Sequence, residues 1–98
     1  MKYNIDISYS VNNDLNKIHE YLSELGGNSS KKFRESFEKF IEQVSNMPFM
    51  FPQYARKPKY HKTTLAYNYL VFYKVDKKNK TIKIQRVLHG KQNVDNVL

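Results

Sequence analysis

The residues best equipped for chemistry gather where the last apolar run ends, in IQRVLHGKQN (84–93): Arg86, His89, Gly90 and Lys91 fall within six positions. A strand that only served a core would need none of them. Cleavage of RNA without a metal requires a base for the 2′-hydroxyl, an acid for the leaving oxygen and cations for the crowded phosphate charge. His89, Lys91 and a loop cation such as Lys62 hold those functions between them. His89 also precedes a glycine, whose backbone can turn sharply or approach a ligand closely. The competing reading has His89 closing the sheet through a hydrogen bond.

Arg86 sits less easily in such a site. By strand alternation it shares a face with Ile82, Ile84 and Leu88, while Lys83, Gln85, Val87 and His89 share the other. Arg86 and His89 then converge only if a bulge or the strand end turns one of them. On an apolar face an arginine is expected at the sheet margin, against helix-end carbonyls or a carboxylate. His19 reads as a boundary residue of a helix, and His61 as part of a basic loop. No two histidines have zinc-site spacing and the chain has no cysteine, so no metal site is expected.

The stretch ARKPKYHK (55–62) interleaves Arg56, Lys57, Lys59 and Lys62 with Tyr60, and Tyr54 stands just before it. Cations among aromatics suit a nucleic acid or another polyanionic target, and Arg56, Lys57, Lys59 and Arg86 are the candidate target-binding residues. Phe49, Met50 and Phe51 are more apolar than a short loop readily hides. They either fold under the sheet or leave a hydrophobic patch for a protein partner.

The charge is distributed unevenly. Residues 1–51 carry six Lys/Arg against seven Asp/Glu, a net of −1, whereas residues 52–98 carry eleven against Asp76 and Asp95 only, a net of +9. Such asymmetry points to a basic face for a polyanion or an acidic partner, with a solvated lysine-rich surface as the plainer alternative. No run reaches the roughly 20 apolar residues of a membrane span, and the start lacks a signal-peptide core, so a single cytoplasmic domain over 1–98 with no membrane partner is expected.

The elements that must position these groups are legible from periodicity. KYNIDISY alternates as a half-buried strand, with Tyr3, Ile5, Ile7 and Tyr9 on one side. Val11, Leu15, Ile18, Leu22 and Leu25 then recur at helical spacing up to Gly26-Gly27. NSS (28–30) offers N-cap oxygens for a second helix with the stripe Phe33, Phe37, Phe40, Ile41 and Val44, ended by Pro48. A proline-marked loop over 48–62 leads to TTLAY, to NYLVFYKV and, across the polar turn DKKNK, to TIKIQRVLH. NYLVFYKV is apolar on both parities and so belongs centrally in the sheet. The expected class is α+β, in the order β-α-α-β-β-β: an antiparallel sheet with a helical hairpin on one face.

In that order, the opening YNIDISYSVNNDLNKIHEYL, a second helix ending in NMP, the hairpin NYLVFYKVDKKNKTIKIQRVLHGKQN and the closing VDNVL resemble the RelE/ParE toxin superfamily of type II toxin–antitoxin modules over nearly the whole chain. The resemblance implies a small bacterial cytoplasmic toxin without a cofactor, neutralised by an antitoxin whose acidic segment wraps it. It also implies one of two targets. RelE-like members cut messenger RNA on the ribosome with cations of the late strands, here matched by Lys62 and Lys91. Gln92, however, stands where such chains place an arginine, and NVDNVL has no aromatic. ParE-like members instead poison DNA gyrase, and RVLH followed by Asp95, with the length of the helical hairpin, resembles that branch more.

Overall fold

Ser8 decides where the opening strand stops. In the computed structural model, which describes residues 2–92 and 94–98, Ser8 is extended and its side chain accepts from the Val11 amide at 3.2 Å. This N-cap separates β1 (Asn4–Ile7) from α1 (Tyr9–Leu25). The alternation therefore ends earlier than expected: Tyr9 is the first helical residue and is 80% exposed. Val11, Ile18 and Leu22 are buried along α1, together with Asp14. Gly26 and Gly27 both take positive φ, 79° and 63°, and turn the chain into α2 (Ser29–Asn46).

Asn28 occupies the N-cap position of α2 but makes no side-chain cap bond. Ser30 Oγ instead meets His19 Nδ1 across the hairpin, so His19 ties the two helices together. Phe33, Phe37, Phe40 and Val44 are buried along α2, with Ile41 half-buried beside them. The Ser45 carbonyl, one of the last of α2, accepts the Tyr3 amide at 2.8 Å and fixes the start of β1 beneath the helix end.

The other strands are β2 (His61–Leu65), β3 (Tyr69–Asp76) and β4 (Thr81–His89), and a short helical turn α3 (Val94–Val97) follows. The sheet order is β1-β4-β3-β2. β2, β3 and β4 form the expected antiparallel meander, and β3 is central as its two-sided apolarity requires. β1 joins β4 in parallel, Ile5 opposite Ile82 and Ile7 opposite Ile84, which makes the sheet mixed. The helical hairpin and the meander together act as the long crossover that parallel pairing demands.

A register shift lies opposite the Phe72/Tyr73 step: Tyr73 pairs with Ile84 and Phe72 with Arg86, so Gln85 is left out of the ladder. This bulge changes the parity of β4. Ile82, Ile84 and Val87 all enter the core against the helices, with Val71, Tyr73 and Tyr69 from β3. Tyr60, Phe72 and Leu88 are buried outside that cluster, and Phe72 and Leu88 are on the sheet's other face. The loop over 52–60 covers part of that face. Its Tyr54 ring meets Phe72 edge-on at 5.3 Å, and the Tyr54 amide donates to the Tyr60 carbonyl. Among the described residues no helix is long and apolar enough to cross a membrane.

Candidate functional site

β1 ends at Ile7, opposite Ile84, so the second half of β4 has no strand on that side. Asp14 of α1 takes its place. Asp14 Oδ2 accepts the Val87 amide at 3.0 Å and Arg86 Nε at 2.8 Å, and Asp14 Oδ1 accepts Arg86 Nη2 at 2.9 Å. Arg86 Nη1 also donates to the Val97 carbonyl at 3.4 Å, which ties α3 to the same guanidinium. The hydrogen-bonded carboxylate raises the Arg86 pKa above its ordinary value, partly opposed by burial. Arg86 is thus committed inside the molecule.

The His89 ring lies on the helix face, its centroid 5.1 Å from that of Tyr69. Its Nδ1 accepts the Lys91 amide at 3.2 Å, so the proton of the neutral ring is on Nε2. The His89 amide donates to Gln92 Oε1 at 2.9 Å, and the Gln92 amide returns to the His89 carbonyl. Gly90 packs closely against the Asn68 side chain. A Cβ there would stand 2.7 Å from Asn68 Nδ2, and the Gly90 amide donates to the Asn68 carbonyl at 2.9 Å. Asn68 and Tyr67 both hold positive φ in the tight β2–β3 turn. Lys91 is exposed on the following turn.

Lys62 is on the opposite face of the sheet. It pairs with Phe72 across β2–β3, and its Nζ lies 5.2 Å from the Tyr54 ring centroid. It lines a recess of about 270 Å³ with Tyr54, Arg56, Leu70, Phe72 and Gln92. Asp14, Lys17, Tyr69, Arg86 and His89 line a separate recess of about 250 Å³. The sheet therefore divides the three candidates for phosphate chemistry: Lys62 with Arg56 on one face, His89 on the other, and Lys91 outside both recesses. Gln92 borders both.

In the basic loop, Lys59 Nζ lies 5.2 Å from the Tyr60 ring, and the Lys57 amide donates to the Tyr54 carbonyl. The apolar trio divides. Phe51 packs against Phe40 and Tyr73 at 5.8 and 6.5 Å, whereas Phe49 and Met50 stay 54% and 39% exposed. Phe49 leans on His61, and His61 stacks on Tyr73. Burial raises the Tyr73 pKa to about 12, with an opposing backbone hydrogen bond from Phe51. Among the described residues no three His, Asp or Glu side chains converge for a metal ion. Asn93 and the Asp95 side chain lie outside the described residues.

Asp14 is the residue that sequence reasoning passed over. Its signal was a carboxylate at helical spacing from Val11 and Ile18, which at a buried position demands a partner. Gln92 and Asn68 carried no comparable signal.

No curated protein matches the sequence significantly. Among solved structures, the E. coli RelBE toxin–antitoxin complex superposes with a TM-score of 0.67 at 17% identity, covering 92% of this chain and 99% of that one. The chromosomal ParDE system of P. aeruginosa gives 0.63 at 17%, covering 90% and 96%. The RelBE2 complex of Mycobacterium tuberculosis gives 0.60 at 17%, covering 91% and 99%. At such identities the likeness is one of fold. The sequence itself goes further, because a family model for the ParE toxin of type II toxin–antitoxin systems matches residues 5–94, and the chain belongs to that family.

Proposed function

We propose that this protein arrests growth in the cytoplasm by poisoning DNA gyrase, and that a partner antitoxin holds it silent. The carrying observation is the placement of Lys62 and His89 on opposite faces of the sheet. Metal-free RNA cleavage needs base, acid and cation around one phosphate. Here the imidazole accepts a backbone amide in one recess while the lysine lies over Tyr54 in another. Membership of the ParE family supports the same choice. The solved relatives are toxin–antitoxin complexes, which supports the antitoxin partner. The exposed Phe49 and Met50 offer that partner apolar contacts, while Phe51 belongs to the core.

A second reading, a ribosome-dependent messenger RNA endonuclease, draws on one feature: Lys62, Arg56 and Tyr54 share a recess. Inducing the toxin alone and reading RNA 5′ ends and DNA breaks from one culture separates the two. DNA breaks with intact transcripts support gyrase poisoning. New codon-positioned RNA ends without breaks overturn it and promote Lys62, Lys91 and His89 to a catalytic site.

A further inference from the structure

The sheet face turned away from α1 and α2 keeps positive charge where a sheet would ordinarily shed it. Lys74 on β3 and Lys83 on β4 stand directly opposite each other, on the same face as Phe72. Like charges in that relation destabilise a sheet. Lys62 on β2 shares the face, and Lys59 and Lys74 both bring Nζ over the Tyr60 ring, at 5.2 and 5.7 Å. Among the described residues none of these four lysines has a carboxylate within ion-pair distance. The carboxylates on the adjoining backbone are Asp6, opposite Lys83 on β1, and Asp76, which is bonded to Asn79 and held below its ordinary pKa by those bonds and, to a lesser degree, by the Lys83 charge. Residues 52–92 hold eleven Lys/Arg and Asp76 as their one acid.

We propose that this face binds the phosphate backbone of double-stranded DNA, with Lys74 and Lys83 at its centre and Lys59 and Lys62 around them. Resting on the gyrase reading above, the toxin then engages gyrase as an enzyme–DNA complex. A duplex fits better than a single strand because the rings on this face offer bases nothing to stack on. Tyr60 and Phe72 are 4% and 0% exposed, and Tyr54 is taken up by Phe72 and Lys62. Compact ammonium groups suit phosphates irrespective of sequence. An acidic protein segment would seek apolar anchors among the charges, yet the exposed Phe49 lies on the helix side, against His61.

The test is a titration of the purified toxin with a short fluorescent duplex of random sequence over a range of salt. The wild type should bind, and Lys74→Gln/Lys83→Gln should bind several-fold more weakly, with a log–log salt slope shallower by about 2. Lys31→Gln/Lys32→Gln, on α2, should leave the titration unchanged. A thermal melt of the Lys74/Lys83 variant should show a cooperative transition close to that of the wild type, so weaker binding is not misfolding. Absence of duplex binding overturns the proposal, as does equal binding by the variant. Tighter binding of a single strand of the same length, or of polyglutamate, overturns it too. A parallel gyrase reaction keeps the two claims apart. If the variant traps cleaved DNA as well as the wild type, engagement of gyrase through this face falls and gyrase poisoning stands, while the duplex titration decides the face itself. If the wild type traps none, gyrase poisoning falls, and the duplex titration still decides the face.

Discussion

Asp14 and Arg86, 72 positions apart, form a two-pronged ion pair that substitutes for a missing strand. The same Asp14 carboxylate accepts the Val87 amide, so one side chain neutralises the guanidinium and satisfies the free edge of β4. Removing either partner leaves a largely buried charge uncompensated. We expect Asp14→Ala to cost about 3 kcal/mol and Arg86→Ala somewhat less, since the arginine is partly exposed. The double variant should cost less than the sum. Denaturant unfolding of the four proteins measures the coupling, and simple additivity would contradict the pairing.

The division of the apolar trio gives a contrast within three residues. Phe51→Ala should lose about 3 kcal/mol because its ring packs against Phe40 and Tyr73. Phe49→Ala should lose less than about 1 kcal/mol, since Phe49 is half exposed and its ring contacts among the described residues are His61 and the Lys77 ammonium. Thermal melts of the two variants check it, and equal losses would mean that Phe49 is also core.

Alkaline pH should loosen the core through Tyr73, whose hydroxyl donates to the Pro48 carbonyl at 3.1 Å. Its pKa is about 12 when folded against an ordinary 10.0. Between those values the unfolded chain has released a proton that the folded chain keeps, so stability falls as pH rises, by up to about 2–3 kcal/mol. Tyr69, also raised by burial, acts in the same direction. Tyr73→Phe should flatten this part of the pH–stability curve; an unchanged slope would remove Tyr73 from the account.

Gly90 is fixed by Asn68. Gly90→Ala should cost about 1 kcal/mol or less, because the new methyl meets the Asn68 amide group, the end of a flexible side chain that can turn aside. Asn68→Gly should recover most of that loss, since glycine accepts the φ of 63° at position 68. Melting temperatures of the single and double variants decide the matter, and absence of recovery would place the clash elsewhere.

These relationships mark how far the sequence could be read. The stripes Val11–Ile18–Leu22 and Phe33–Phe37–Phe40–Val44, and the two-sided apolarity of NYLVFYKV, report burial directly, so helices and strands follow from them. The parallel entry of β1 was hidden because alternation says which side of a strand is apolar and nothing about its neighbour. The bulge at Gln85 was equally silent, yet it decides the face of every later residue in β4. A parity count that ignores it assigns Val87 to the wrong face and misses the core position it shares with Ile84. Gly90 announced a close approach, but its partner, Asn68, lies just before the neighbouring strand β3 and no local pattern points to it.

The most direct test of the central claim is a gyrase reaction on plasmid DNA with purified toxin, run for the wild type, His89→Ala and Lys62→Ala. Gyrase poisoning predicts trapped, cleaved DNA with the wild type and with His89→Ala alike, and no cleavage of messenger RNA on programmed ribosomes. Cleaved messenger RNA that disappears in both variants, with the plasmid left intact, would contradict it.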